Sequence, residues 1–550
     1  MNYTQTIDNL ISHNIKISLI VGPPGTGKST YALNKIKELV DSGIPIESIA
    51  LMAYNRWIGA DLRKRAAALL GLPEDDFTYI KTVHAMALGC LHRHHHSQGI
   101  KLVMPLTDGW KRKLKSLHPW FRLYEDHQLR DIDPVDVLNY WRESYFDDPA
   151  SLLRVVNNFA SKNVLDIYQR FKATHNLCDF TDMQLRAHGL GTPLPVQHMF
   201  ADEAQDLSDL QIALIAQWAS SCKTLTFIGD ADQAINGFRP GVNDADFLIA
   251  LNKHPGVTTS VLNQSYRVPR AVHSVANKVI HFVKDRIEAP YKSTEHEGQV
   301  IKRPLGFCGE LCRRFLSGQG GSGQQPSIAI LLRVNDSYHE HVTMLDKLNL
   351  IYDNRCRIVG SSDVLVSGDF SHDFGAIKTA VSLSRGDLAP YTAIHSMLDI
   401  SVSEKCAAGF ERWKDKQLAA GRNPDLPYSL DELSTYFQAR FLVKRIRKDP
   451  FTVSEGIPPW RQYYIKQHYE DLLNKETFNN PIQILTVHAS KGLEFTHVLV
   501  DMRGTQRREG LLDPTELRLH YVAYTRARQT LVILTDVKTP DYIDLKALGL

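Results

Sequence analysis

Short apolar runs in this chain alternate with stretches in which apolar residues recur at helical spacing. Residues 15–21 predict a buried strand, residues 22–30 form a glycine-rich loop, and residues 32–40 have the apolar spacing of a helix. A second buried strand is predicted at residues 49–53. Because strand, loop, helix and strand follow one another in this order, we expect a parallel α/β sheet.

The same alternation recurs further along the chain. Two long stretches, at 85–179 and at about 364–475, have a mostly helical pattern. Further strands are predicted at five places: 199–201, 225–228, 328–332, 482–486 and 531–534. The pattern therefore predicts an α/β protein with two parallel-sheet cores, each interrupted by a mainly helical insertion.

Composition narrows the class of protein without naming a function. The chain has 550 residues, a formal net charge of +3, 43% hydrophobic and 23% charged residues. These values exclude a mostly disordered chain, a collagen-like chain and a coiled-coil rod. Seven cysteines in this length form no disulfide framework, and no apolar run approaches the roughly 20 residues of a membrane helix. We therefore expect a cytoplasmic protein.

Residues 22–30 match the phosphate-binding P-loop. The backbone N–H groups of such a loop surround the phosphates, Lys28 would reach the β- and γ-phosphates, and the Ser29 hydroxyl would bind Mg²⁺. The loop predicts that the chain binds ATP together with Mg²⁺. The predicted nucleotide-binding residues of the loop are Gly22, Pro23, Pro24, Gly25, Thr26, Gly27, Lys28, Ser29 and Thr30.

Two adjacent carboxylates follow the apolar residues 199–201. One carboxylate at the end of a strand can hold Mg²⁺, and its neighbour can orient or deprotonate an attacking water molecule. We expect Asp202 to hold the metal together with Ser29, and Glu203 to be the catalytic base. This pair predicts transfer of a phosphoryl group to water.

Further segments carry motifs in a fixed order. The most specific are Asp-Glu-Ala-Gln-Asp at 202–206, Lys-Gly-Leu-Glu-Phe at 491–495 and Tyr-Thr-Arg-Ala at 524–527. The other segments lie at 50–56, 81–84, 179–183, 229–239 and 262–267. Taken in this order, the motifs resemble those of the superfamily 1 helicases of the UvrD/Rep/PcrA type, and the resemblance covers most of the chain.

The resemblance implies roles in ATP hydrolysis for residues outside the P-loop. Gln233 would sense the γ-phosphate, Arg267 would contact it, and Arg526 would be the arginine finger. Tyr266 would pack on the adenine, and Glu494 would approach the ribose.

A second set of residues would contact DNA. The resemblance implies that Phe238 stacks on a base and that His488 lies in a motif that contacts the DNA backbone. The complete implied set is Tyr54, Asn55, Thr82, His84, Phe238, Arg239 and His488.

The resemblance also implies two RecA-like motor domains that close on ATP and open after hydrolysis. Such a motor would step along single-stranded DNA in the 3′-to-5′ direction and would open forked duplex DNA. The implied domains are 1–84 with 180–261 (1A), 85–179 (1B), 262–363 with 476–550 (2A), and 364–475 (2B).

Two other functions fit part of the sequence. A non-unwinding ATPase subunit of a repair or defence complex, stimulated by DNA or controlled by a protein partner, would need the same hydrolytic residues. A small-molecule kinase would also need a P-loop, but Gln233, Arg526 and the motif at 491–495 argue against it. Strand separation by the pure protein and dependence of ATP hydrolysis on single-stranded DNA distinguish these functions.

Two basic clusters lie within the helical stretches, at 110–115 and at 444–448. Each is compatible with contact to duplex DNA or with a solvated helix face.

Overall fold

The computed structural model describes most of both predicted cores. The described residues are 2–53, 56–98, 104–105, 134–159, 164–175, 177–236, 245–317, 326–333, 340–341, 344–345, 356–358, 368–401, 409–410, 412–414, 427–436, 439–451, 462, 465–466, 469–470, 481–503, 507–508 and 511–535.

The chain divides into two compact units. The first comprises Met1–Glu297 and Arg507–Thr525, and the second comprises Gly298–Gln506 and Arg526–Leu550. Each unit contains a six-stranded sheet in which every pair of neighbouring strands is parallel. The predicted α/β class with two parallel-sheet cores is confirmed.

The sheet of the first unit has the strand order β3-β2-β6-β7-β1-β8. Its strands are β1 (Lys16–Val21), β2 (Ile49–Ala53), β3 (Ile80–Thr82), β6 (His198–Ala201), β7 (Thr224–Gly229) and β8 (Val257–Val261). Leu19 of β1 packs into one apolar cluster, and its neighbour Ile20 packs into another. Because both faces of the sheet are buried, the strands have almost continuous apolar sequences.

Helices of the first unit flank this sheet and build the first insertion. They are α1 (Tyr3–Ser12), α2 (Lys28–Asp41), α3 (Arg56–Leu70), α4 (Val83–Gln98), α5 (Pro134–Ser144), α6 (Pro149–Phe159), α7 (Val164–Thr174), α8 (Phe180–Gly189), α9 (Asp209–Ala219), α10 (Asp246–Lys253), α11 (Arg270–Ile280) and α17 (Pro514–Tyr524). Two short sheets pair β4 (Met104–Pro105) with β5 (Leu177–Cys178), and β14 (Arg507–Arg508) with β15 (Leu511–Leu512). Helices α5 to α7 have an apolar cluster of their own, which includes Leu138, Trp141 and Tyr168.

The sheet of the second unit has the order β11-β12-β10-β13-β16-β9. Its strands are β9 (Gln299–Pro304), β10 (Ile328–Leu332), β11 (Cys356–Ile358), β12 (Ile482–Thr486), β13 (Phe495–Asp501) and β16 (Ala527–Thr535). Its helices are α12 (Cys308–Ser317), α13 (Gly368–Ser384), α14 (Tyr391–Ser401), α15 (Leu430–Thr435) and α16 (Arg440–Lys448). One apolar cluster joins Ile330 and Ile484 of the sheet to Phe410, Tyr428 and Ile446. The second helical stretch therefore shares its core with the sheet.

The compact units and the predicted domain bounds differ at two places. Residues 262–297 and the segment Arg507–Thr525 pack within the first unit. One physical reason is that the Oγ atom of Ser265 donates a hydrogen bond to the carbonyl oxygen of Pro24, at 2.8 Å. The four-part division into 1A, 1B, 2A and 2B stays a prediction. Among the described residues, no helix is both long and apolar enough to cross a membrane.

A buried ion-pair network joins the first insertion to helix α8. Asp179 caps α8, and its Oδ2 atom lies 2.9 Å from Nη1 of Arg142 and 2.6 Å from Nζ of Lys172. Asp182 contacts the same two cations. Burial opposes the charge, but Arg142 and Lys172 lower the pKa of Asp179 to about 2. Two carboxylates and two cations thus balance one another in a position from which water is largely excluded.

We expect Arg142→Met to destabilise the first unit strongly, because it leaves two buried carboxylates facing a single lysine. The expected loss is about 3–5 kcal/mol in the free energy of unfolding, measured by urea denaturation. Arg170→Met is the matched control, since Arg170 pairs with Asp166 on the exposed surface and should change stability by less than about 1 kcal/mol. Equal effects of the two substitutions would contradict this account.

A second buried ion pair lies in the second unit. The Nε2 atom of His341 lies 2.8 Å from Oδ2 of Asp501, and both side chains are almost completely buried. Burial by itself lowers the pKa of His341, but its hydrogen bond to Asp501 and its contact with Cys308 raise the pKa to about 9. The raised pKa favours the protonated form of His341 at neutral pH, in which Nε2 donates to Asp501.

This pair predicts a loss of stability on the alkaline side. A histidine whose pKa rises from 6.5 to about 9 on folding contributes about 3 kcal/mol, present in full below the unfolded pKa and lost as the pH rises through 9. We expect the urea midpoint of the wild type to fall more steeply from about pH 7 to about pH 10 than that of His341→Asn. Parallel pH profiles for the two proteins would rule out this linkage.

Candidate active site

The P-loop follows β1 and leads directly into helix α2. Gly25 and Gly27 adopt left-handed backbone angles, with φ of +72° and +81°. The hydroxyl of Thr26 donates to the carbonyl oxygen of Pro23 at 2.8 Å, and Nζ of Lys28 donates to the carbonyl oxygen of Gly22 at 2.9 Å. The loop therefore closes on itself at the N-terminus of a helix, where backbone N–H groups and the helix dipole favour an anion.

The two predicted carboxylates lie beside this loop. Oγ of Ser29 donates to Oδ2 of Asp202 at 2.9 Å, and Nζ of Lys28 lies 4.0 Å from Oε1 of Glu203. Burial, together with the charge of Glu203, raises the pKa of Asp202 to about 6. The structure thus brings together Lys28, Ser29, Asp202 and Glu203, which the sequence analysis placed in one site.

Glu203 is held in an uncommon conformation. Its φ and ψ angles are 52° and 43°, in the left-handed region, and its backbone N–H donates to Oδ1 of Asp202 at 2.9 Å. Strain of this kind persists where the surrounding contacts fix it, and it is concentrated at functional sites. Here it separates the directions of two consecutive carboxylates.

The donor set of Ser29 and Asp202 fits Mg²⁺. A hydroxyl and a buried carboxylate are hard oxygen ligands, and Mg²⁺ is usually bound by one or two carboxylates together with phosphate oxygens and water. A cation there would also offset the repulsion between Asp202 and Glu203 that raises the pKa of Asp202.

Gln205 links this pair to the next strand, a role that the sequence analysis did not assign. Its Nε2 atom donates to Oε2 of Glu203, and its Oε1 atom accepts a hydrogen bond from the backbone N–H of Asp230 at 3.1 Å. Asp230 in turn accepts a hydrogen bond from Nε2 of Gln233 at 2.7 Å. The predicted γ-phosphate sensor therefore connects to the predicted base through Asp230, by its carboxylate and its backbone N–H, and through the side chain of Gln205.

Arg286 is a second residue that the sequence analysis missed. Its Nε atom donates to Oδ1 of Asp232 at 3.1 Å, and its Nη2 atom contacts Oδ2 of the same carboxylate. Asp232 lies in the short helix Ala231–Gln233 and is buried. This ion pair anchors the turn that carries Gln233, and no local sequence pattern marks a partner 54 residues away.

Tyr266 and Arg267 lie directly against the P-loop. The backbone N–H of Tyr266 donates to the carbonyl oxygen of Gly25 at 2.9 Å, and Ser265 bonds to Pro24. The side chain of Tyr266 is 73% exposed, so its ring is accessible to a ligand. Both predicted nucleotide contacts of this segment are therefore in the first unit.

Arg526, Glu494 and His488 belong to the second unit. Arg526 is buried, and its Nη1 atom donates to the carbonyl oxygen of Leu493 at 3.3 Å. Glu494 pairs with Arg528 at 3.0 Å, and His488 lies in the turn after β12. Their roles in hydrolysis and DNA binding stay predictions.

The predicted DNA contacts other than His488 divide into two groups. Thr82 and His84 lie at the end of β3 and the start of α4, where Oγ1 of Thr82 accepts the N–H of Ala85 at 3.2 Å. Burial lowers the pKa of His84 to about 4, so its ring is neutral at pH 7. Four predicted contacts lie outside the described residues: Tyr54, Asn55, Phe238 and Arg239. The basic cluster at 110–115 also lies outside them.

His84 takes part in a polar network with Gln184 and Glu143. Its Nε2 atom lies 3.2 Å from Nε2 of Gln184, which donates to Oε1 of Glu143 at 3.1 Å. The ring of His84 also packs edge-on against Phe180, whose side chain is 63% exposed. Phe180 is thus an accessible aromatic ring beside a predicted DNA contact, which the sequence analysis quoted but did not assign.

Comparison with known proteins agrees with this geometry. A family description of the UvrD/REP helicase N-terminal domain matches residues 4–252, and one of the UvrD-like helicase C-terminal domain matches residues 465–538. These ranges include the P-loop, the carboxylate pair, Gln233, and the strands β12 and β13.

Individual relatives are distant in sequence. The ATP-dependent DNA helicase PcrA of Leuconostoc citreum is 26% identical over 52% of this chain and 39% of its own length. DNA helicase II of Escherichia coli is 23% identical over 94% of this chain and 82% of its own length. PcrA of Staphylococcus aureus (strain Mu50) is 24% identical over 67% of this chain and 51% of its own length. The chain thus spans less than two thirds of both PcrA relatives.

Gly25 provides a sharp test of the contact between the P-loop and the segment 265–267. A Cβ atom at Gly25 would overlap Cβ of Arg267 and would come 2.8 Å from Oγ of Ser265. We expect Gly25→Ala to weaken binding of a non-hydrolysable ATP analogue by at least about tenfold, because left-handed strain and this overlap both distort the loop. Isothermal titration calorimetry measures the affinity.

Gly43→Ala is the matched control. Gly43 also has a left-handed φ, of +93°, but its added Cβ would meet nothing within 4 Å. We expect this variant to lose about 1 kcal/mol of stability and to keep its nucleotide affinity. If the two variants bind the analogue equally well, the packing of Gly25 against Arg267 is not important for the loop.

Proposed function

Because the chain belongs to the UvrD/Rep family of DNA helicases, we propose that it is an ATP-driven motor that moves along single-stranded DNA and separates duplex strands. The observation that carries the proposal is the convergence of Lys28, Ser29, Asp202 and Glu203 at one edge of a parallel sheet. The helicase names of the relatives support the same activity. The 3′-to-5′ direction is part of the proposal and comes from the resemblance of the motifs.

The hydrolytic step uses the described geometry directly. Glu203 accepts a proton from water as the water oxygen bonds to the γ-phosphorus and the bond to the leaving ADP oxygen breaks. Lys28 would contact the β- and γ-phosphates, and Ser29 with Asp202 would hold Mg²⁺. The metal ion, when bound, neutralises charge on the phosphate oxygens. Gln205 fixes the direction of the Glu203 carboxylate through its hydrogen bond.

Other residues extend the site according to the same proposal. Gln233 and Arg267 respond to the γ-phosphate, Tyr266 packs on the adenine, and Arg526 and Glu494 act from the second unit. The proposed DNA contacts are Tyr54, Asn55, Thr82, His84, Phe238, Arg239 and His488. The aromatic residues among them would bind a single strand by stacking on its bases, which contributes about 1–3 kcal/mol per base.

A partner-controlled ATPase that does not unwind DNA is the alternative. It would use the same site in the first unit and would differ in its response to DNA. Both functions would use the contacts of Lys28 with Gly22 and Glu203. The response of ATP hydrolysis to DNA therefore distinguishes the two functions.

We expect single-stranded DNA to stimulate ATP hydrolysis by the wild-type chain, and Lys28→Ala to abolish hydrolysis. The substitution removes the cation that contacts the transferred phosphoryl group, and loss of such a charge costs about 10³-fold or more in rate. Hydrolysis is measured as phosphate release with and without an oligonucleotide, and unwinding is measured on forked duplexes with either polarity of tail.

Three results of this experiment have different meanings. Stimulated hydrolysis with unwinding of a fork that carries a 3′ tail supports the whole proposal. Stimulated hydrolysis without strand separation favours the non-unwinding ATPase. Hydrolysis that is indifferent to DNA contradicts the motor and favours control by a protein partner.

A further inference from the structure

Helix α16 has two faces of opposite character. Its nine residues include five basic residues and no acidic one. Three apolar side chains are buried in the core of the second unit: Leu442, Val443 and Ile446. With about 100° between successive residues, the remaining face spans an arc of about 160°. That arc, which we call the α16 face, consists of Arg440, Phe441, Lys444, Arg445, Arg447 and Lys448.

Phe441 is the unusual member of the α16 face. Its side chain is 67% exposed, although its neighbours Leu442 and Val443 are buried. The guanidinium carbon of Arg445 lies 4.7 Å from the centre of the ring, a cation–π distance. An aromatic ring therefore lies at the surface among basic side chains, where it adds nothing to the core of the unit.

Two carboxylates near the α16 face pair with basic side chains. Asp431 accepts a hydrogen bond from Nη2 of Arg447 at 2.8 Å, and Asp449 accepts one from Nζ of Lys466 at 3.1 Å. Arg447 is part of the α16 face, and Lys466 lies outside it. The α16 face therefore combines a dense positive charge with an accessible π-system.

We propose that the α16 face binds single-stranded DNA, in addition to the contacts proposed for the motor. The inference rests on the proposed function. Lysine and arginine contact phosphates of either single or double strands, so charge alone does not choose between them. The exposed ring of Phe441 favours a single strand, because unpaired bases can stack on an aromatic side chain, whereas the bases of a duplex are stacked on one another.

The test measures binding of labelled oligothymidylate, and of a blunt duplex of equal length, to the full chain by fluorescence anisotropy over a range of salt concentrations. We expect Lys444→Ala/Lys448→Ala to weaken oligothymidylate binding by roughly tenfold at low salt and to reduce the salt slope by about 0.7 for each phosphate that the variant no longer neutralises. We expect Phe441→Leu to weaken binding by roughly fivefold with little change in that slope.

Lys35→Ala/Lys37→Ala is the matched control. Both lysines lie on the exposed side of α2, and the double substitution removes the same amount of charge. We expect its affinity for oligothymidylate to remain within about twofold of the wild type, since charge at a distance is screened by salt. Because all the substituted side chains are at the surface, thermal melting curves should agree among the variants.

Each outcome decides the proposal. Weaker oligothymidylate binding in both α16 variants, with the control unchanged, supports it. Unchanged binding in the α16 variants, or an equal loss in the control, overturns it. A larger loss for the duplex than for the single strand also overturns it and makes the α16 face a duplex-binding surface. Failure of the wild type to show DNA-stimulated hydrolysis would instead contradict the proposed function, because binding is measured without ATP.

Discussion

The parallel alignment of β6, β7 and β1 is the constraint on which the candidate site depends. In a parallel sheet the carboxyl ends of neighbouring strands lie at one edge, and ligands of open α/β sheets bind there. Val21 at the end of β1 pairs with Gly229 at the end of β7, and Ala201 at the end of β6 pairs with Phe227. The P-loop, the carboxylate pair and the turn with Gln233 must therefore meet, although about 200 residues separate the first from the last.

Charge balance distinguishes two buried polar clusters described in the first unit. Asp179 and Asp182 face Arg142 and Lys172, so the charges cancel and the pKa of Asp179 is lowered. At the sheet edge the balance is incomplete: burial and like charge raise the pKa values of Asp202 and Asp230 to about 6. In a balanced cluster each buried charge is compensated, so that removal of one partner is costly, whereas an excess of buried carboxylate favours a bound cation. The same residue types thus serve structure in one place and chemistry in the other.

Hydrogen bonds through amide side chains connect the parts of the first unit. Gln205 joins Glu203 to Asp230, and Gln184 joins His84 to Glu143. Gln205 donates from Nε2 and accepts at Oε1, whereas Gln184 makes both of these contacts through Nε2, and neither amide adds a charge of its own. The proposed DNA contact His84 and the proposed base Glu203 are therefore each held in a polar network by a neutral amide.

The sequence by itself determined the local features: the buried strands, the P-loop, the carboxylates after β6 and the two-core α/β class. These follow from apolar periodicity and from motifs in which a few consecutive residues carry the chemistry. Only the tertiary structure decided that Arg286 pairs with Asp232, that Ser265 bonds to Pro24 within the first unit, and that Phe441 is exposed while its neighbours are buried. Such contacts join residues far apart in the chain, or depend on which face of a helix packs against the core. Hydrophobic patterning fixes which residues are buried on average, but it does not specify the individual polar partners that burial brings together.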